Sequence, residues 1–183
     1  DVNHSASAFN PEKLRWLDQQ HIIAMRPEEL GHRLLPYLRQ AGLDVDHGPD
    51  PVDVARAYRE RADTLLHMAA SARYCYEDFD EIEQKSAKKH LRPVVLEPMK
   101  EARNRLAELL DWTEETINRV IHESAEGHGL NLGKLGQPIR VAVTGGPVSP
   151  PIDVTLALVG QERTIARLDH AINLIQARAA AQA

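Results

Sequence analysis

Apolar residues recur three and four positions apart along most of this chain, the interval that lines one face of an α-helix. Asn10-Pro11-Glu12 reads as a helix start. Asn can cap, Pro suits the first turn, and a Glu carboxylate meets the positive end of the helix dipole. Leu14, Leu17 and Ile22 follow at helical spacing, with Trp16 beside them. A second start at Arg26-Pro27-Glu28-Glu29 leads into an apolar face of Leu30, Leu34, Leu35 and Leu38, and Ala41-Gly42 closes it. Gly48, Pro49 and Pro51 make Asp44–Pro51 a loop. The next helix is predicted from about Val52 towards His67, with Val54, Ala57, Tyr58 and Leu65 inward and Arg61 near the edge of that face. Met68–Tyr76 reads as helical, and the acidic run Glu77-Asp78-Phe79-Asp80-Glu81 as a surface loop.

Beyond it, Lys85–Leu91 forms a short basic helix and Pro93 opens another. Val94, Val95, Met99, Leu106, Leu109 and Leu110 are its expected inward residues, with a kink at Pro98. Asp111 or Thr113 caps the following helix, whose core residues are Ile117, Val120 and Ile121; Gly127 and Gly129 stop it. Leu132–Val143 is read as helix with Pro138 as a local distortion, the alternative being a short strand at Ile139–Val143 with no partner strand. Two helices, Pro151–Gly160 and Glu162–Arg178, close the chain. No hairpin signal appears. The expected fold is all-α, in two helical lobes divided near residue 110: residues 1–110 and 111–183.

Composition supports this. Aromatics make up only 4% of 183 residues while 43% are hydrophobic, so the core must be built mostly of Leu, Ile, Val and Ala, which favours helices over sheets. No run reaches the ~20 apolar residues of a membrane span, and the polar opening is no signal peptide. A cytoplasmic protein is expected, and its single cysteine, Cys75, can form no internal disulfide. The net charge of −5 argues against bulk, non-specific nucleic-acid binding. It leaves room for a protein that reads a few splayed RNA bases with a few arginines. The chain opens at Asp1 without a methionine and is expected to be a fragment of a longer protein.

Chemistry-bearing residues are sparse. Nine histidines form no metal motif: His122 and His128 are spaced off one helix face, and HESAE lacks the second histidine of H-E-x-x-H. No metal site is expected. Cys75 stands near acidic residues, which does not favour a thiolate. The least generic stretch is Leu132–Ile152, LGKLGQPIRVAVTGGPVSPPI. Its short apolar run, Ile139–Val143, holds a single cation, Arg140, and a charge so placed must find water, a partner or a ligand. Its glycines do not match either phosphate-cradling motif, and Pro147 removes a backbone N–H where a phosphate would need one.

This stretch strongly resembles the anticodon-binding part of bacterial glutamyl-tRNA synthetases, where a Gln-Pro-x-Arg segment runs through Thr-Gly to Ser/Thr-Pro. AFNPEKLRWLDQQHI, RADTLLHMAASARYCYED, WTEETINRVI and LVGQERTIARLDHAI resemble the same family in the same order. The resemblance implies two helical anticodon-binding subdomains from a monomeric class I ligase. That ligase attaches glutamate to tRNA(Glu) using ATP and Mg. Its catalytic domain, with His-Ile-Gly-His-like and Lys-Met-Ser-Lys-like signatures, would precede residue 1. Neither signature occurs here.

Carried residue by residue, the resemblance places Arg61 at the third anticodon base and Arg140 at the first, with Ser149, Pro150 and Ile152 completing the pocket around that first base. Glutamate anticodons end in C and glutamine anticodons in G. Arg61 would donate to O2 and N3 of C and leave no room for a purine, so discrimination against tRNA(Gln) is expected. Lys85, Lys88, Lys89 and Arg92 are candidates for phosphate contacts. The competing reading is a helical protein-interaction module without RNA binding, in keeping with the acidic net charge. Because the activating signatures are missing, the purified chain is expected to show no glutamate-dependent pyrophosphate exchange; an exchange signal above background would contradict the assignment.

Overall fold

The computed structural model describes residues 10–181, and among them it contains ten α-helices and no strand. Helix starts lie where the caps indicated. Asn10 accepts from the N–H of Glu12 at 3.0 Å to begin α1, Pro11–Ala24. Proline also leads α2, Pro27–Gln40, and α3, Pro51–Tyr58, where Asp50 accepts from Val52 N–H at 2.8 Å. Leu30, Leu34 and Leu38 of α2 are fully buried. Gly31 lets α3 approach: a Cβ there would lie 2.8 Å from the Val52 backbone. By contrast, α1 buries only Ile22 and leaves Trp16 57% exposed.

The helix expected to run from Val52 towards His67 is two helices. Arg61 N–H and Ala62 N–H both bond to the Tyr58 carbonyl, at 2.8 and 3.1 Å, which ends α3 in a turn. Thr64 then caps α4, Leu65–Ser71, by accepting from His67 N–H at 3.0 Å. Threonine's hydroxyl competes better at a cap than inside a helix, and here that preference wins. Arg61 therefore stands on an exposed turn. Past Ser71, the expected helix to Tyr76 tightens into a 3-10 turn at Arg73–Cys75.

The short basic helix is α5, Gln84–His90. A 3-10 turn at Pro93–Val95 precedes α6, Leu96–Ala107. Pro98 falls in the first turn of α6, where no intrahelical N–H is required and no kink is needed. Two residues expected inside lie outside: Val94 is 66% exposed and Leu110 fully exposed. The α6 helix stops at Ala107, so the spacing that pointed Leu110 inward no longer applies. Thr113, rather than Asp111, caps α7, Glu114–Gly127, through a reciprocal capping box with Thr116. Leu132–Thr144 is a helix, α8, not a strand. Gly145 ends it at φ 77°, a left-handed geometry suited to glycine, with its N–H on the Val141 carbonyl at 3.0 Å. Helices α9, Ile152–Val159, and α10, Gln161–Ala180, follow. None of the described helices is long and apolar enough to cross a membrane.

The α8 helix is the hub: α5, α6, α7, α9 and α10 all touch it, while α2 gathers α3 and α4. Helix α6 lies against both α7 and α10, across residue 110. Arg103 of α6 makes a two-pronged bond to Asp169 of α10, 2.7 Å on each prong. The segment Tyr74–Asp78 joins the α2–α4 group to the rest, and α10 holds it with two arginines. Arg163 donates to the Cys75 carbonyl at 2.8 Å. Arg167, only 7% exposed, donates to the carbonyls of Tyr74, Glu77 and Val143 and to the Asp78 carboxylate. Its guanidinium lies 4.8 Å from the Phe79 ring centre.

Arg167→Ala would strand those carbonyls and open a cavity, so a loss of about 3 kcal/mol is expected, read as a lower urea midpoint. Cys75 beside this clamp is fully buried, and burial pushes its thiol up to about 12. It is expected to resist alkylation at pH 8 in the folded chain and to react once the chain is unfolded in urea.

Candidate nucleic-acid interface

Two clefts meet on one side of the molecule. The larger, about 820 Å³, is lined by Arg56, Arg61, Thr113, Pro151, Leu158 and Arg163 among others. The smaller, about 370 Å³, is lined by Asn118, Gly136, Gln137, Arg140, Ile152 and Asp153, and again by Pro151. The exposed ring of Pro151 is thus a wall of both. Arg61 belongs to the first cleft and Arg140 to the second. The two guanidinium groups lie near enough for their charges to repel, since Arg61 helps lower the pKa of Arg140.

Arg61 is exposed, and no ion pair or side-chain hydrogen bond engages it among the described residues; Asp53, a possible partner, is held by Arg56 at 2.6 Å. Arg140 is half-buried on α8. Burial is the main cause that lowers its pKa, with a smaller opposing contribution from Tyr74. Its hydrogen-bond partners are neutral. Nε–H donates to Ser149 Oγ at 2.8 Å, Nη1 to Gln137 Oε1, and Nη2 makes a long 3.5 Å contact with the Pro150 carbonyl. No carboxylate pairs with it among the described residues. A half-buried cation without a counter-ion suits a ligand that brings acceptors.

Ser149 is buried, and its hydroxyl is taken up internally: it accepts from Arg140 and donates to the Pro150 carbonyl at 2.8 Å. Pro150 is buried behind it. Ile152, though buried, forms part of the apolar wall of the smaller cleft. The structure therefore brings Arg140, Ser149, Pro150 and Ile152 together and sets Arg61 in the adjoining cleft. Lys85, Lys88 and Lys89 on α5, and Arg92 just past it, are exposed but line neither cleft.

Other residues at the site were not singled out from the sequence. Gln137 lies one turn before Arg140, so an i to i+3 contact could have been anticipated. Asn118 and Asp153, joined at 3.2 Å between α7 and α9, had no sequence signal, because the two helices meet only in the fold.

Comparison with known proteins identifies the family. The family model described as "Anticodon binding domain" matches residues 29–172. A glutamate–tRNA ligase 1 from Nitrosococcus oceani is 47% identical over 178 residues, which are 97% of this chain and 38% of that protein. Among solved structures, a glutamate tRNA ligase from Elizabethkingia meningosepticum, in complex with its amino acid, superposes with a TM-score of 0.83 at 25% identity, covering 91% of this chain and 33% of that one. A glutamate-tRNA synthetase from Elizabethkingia anophelis gives 0.78 at 26% identity, covering 90% and 32%. The chain thus spans well under half the length of these relatives. With a family model matching across both clefts, the chain belongs to the anticodon-binding domain family.

Proposed function

We propose that the chain is the anticodon-reading part of a cytoplasmic, monomeric glutamate–tRNA ligase and that it binds tRNA(Glu). The observation that carries this reading is the pair of arginines without carboxylate partners among the described residues, set in adjoining clefts that share Pro151. Unstacked loop bases expose hydrogen-bonding edges, and a planar guanidinium offers fixed donors to them. Arg140 takes the first anticodon base, against Ser149, Pro150 and Ile152. Arg61 takes the third. Lys85, Lys88, Lys89 and Arg92 supply phosphate contacts farther along the RNA. Residues 1–110 and 111–183 act as two subdomains, one arginine from each. Glutamate activation with ATP and Mg falls to the part of the ligase outside this chain, in which neither phosphate-cradling motif is found.

Selection against tRNA(Gln) follows from Arg61. Its donors suit O2 and N3 of a third-position C. The cleft beside it is wide, so it does not exclude a purine by volume alone. Exclusion requires the RNA backbone to fix how deep the third base enters, with Arg61 occupying the space a purine would need. Arg61→Gln shortens the side chain and removes the charge. In a tRNA-binding assay it is expected to narrow the preference for tRNA(Glu) over tRNA(Gln) by about 1–3 kcal/mol. An unchanged preference would refute this role for Arg61.

A further inference from the structure

The neutral acceptors around Arg140 are themselves held in place. Gln137 Nε2 donates to the Pro147 carbonyl at 3.0 Å, which ties the amide to the turn after α8. The Thr155 hydroxyl, on α9 and fully buried, lies 2.9 Å from Ser149 Oγ and 3.1 Å from the Pro150 carbonyl, donating to this pair. Ser149 in turn accepts from Arg140 Nε. A single buried hydroxyl therefore links α9, the loop before it and, through Ser149, the cation on α8. Packing alone does not call for oxygen at this position, since valine has nearly the same shape, and a buried hydroxyl is costly unless bonded.

A guanidinium carries five N–H groups. Ser149 engages Nε–H, Gln137 one N–H of Nη1, and the Pro150 carbonyl one of Nη2. One N–H remains on each terminal nitrogen. We propose that Thr155 and Gln137 are positioning residues: Thr155 from its buried place on α9 and Gln137 from the wall of the cleft, they lock the Arg140 fork so that these two N–H groups face acceptor atoms on the first anticodon base. This rests on the reading of Arg140 as a base contact. It makes first-base selectivity depend on a hydroxyl that never meets the tRNA.

The test uses the full-length ligase carrying this chain. Affinity is measured for tRNA(Glu) transcripts with the native first anticodon base and with each other base there, alongside third-base variants and thermal melting. Thr155→Val is expected to lose about tenfold of first-base selectivity, with third-base selectivity kept and Thr155→Ser restoring the loss. Gln137→Met, which keeps length but removes the acceptor, should behave like Thr155→Val. If Thr155→Val melts too low to assay, Gln137→Met decides by the same ratio. The positioning role is overturned if the Thr155 and Gln137 variants keep wild-type selectivity while Arg140→Gln loses it. It is equally overturned if Thr155→Ser fails to restore what Thr155→Val loses. Arg140→Gln retaining first-base selectivity, or wild type showing none, would instead overturn the base-reading role of Arg140.

Discussion

Arg167 gathers the ends of elements that have no other reason to meet. The carbonyls of Tyr74 and Glu77 come from the segment leaving the α2–α4 group, and the Val143 carbonyl comes from the last turn of α8. Carbonyls at a helix C-terminus carry partial negative charge and lack intrahelical donors, so a cation completes them. Burial lowers the pKa of this arginine, and Asp78 works against that. Stacking on Phe79 covers the guanidinium face, and the same ring packs within 3.2 Å of where a Gly145 Cβ would stand. Arg163, one turn earlier on α10, repeats the grip on the Cys75 carbonyl and reaches Asp78.

The consequence reaches both clefts. Arg140 is carried by α8, whose C-terminus Arg167 holds. Arg61 lies three residues after Tyr58, with its N–H on the Tyr58 carbonyl at 2.8 Å, and the Tyr58 hydroxyl meets at 2.7 Å the hydroxyl of Tyr74, the residue whose carbonyl Arg167 clamps. Burial raises the pKa of both tyrosines, so they stay neutral donors and acceptors. Tyr74 also neighbours Thr155, which partly offsets that rise. A run of buried hydroxyls thus passes from beneath one arginine to the support of the other. Rigid spacing between the two arginines is what the proposed reading of a fixed-length RNA triplet requires, and long, exposed side chains alone would not provide it.

The net charge of −5 is compatible with this design. Many acids are spent locally: Glu29 on Arg33, Asp53 on Arg56, Glu77 on Arg73 and Glu97 on Lys100. Such exposed pairs add little stability, but they neutralise cations that would otherwise attract RNA indiscriminately. Arg61, Arg140 and the α5 lysines are not held in such pairs among the described residues.

How much of this was legible in the residues divides along sequence distance. Helical class, the capped start at Asn10, the start near Thr113 and the glycine stop after α7 depend on neighbours within one or two turns, and such local preferences are written in the order of residues. The break before Thr64 was equally local but was masked by a continuous apolar spacing. Leu110 went astray because periodicity cannot say where a helix ends. The positions of Arg61 and Arg140 could be marked from motifs, but what surrounds them could not. The clamp on the Tyr74 carbonyl spans 93 residues, and the Thr155 link to Arg140 runs through a loop and a second helix. A hydroxyl or guanidinium can bond to any acceptor the fold brings near, so only the packed structure selects its partner.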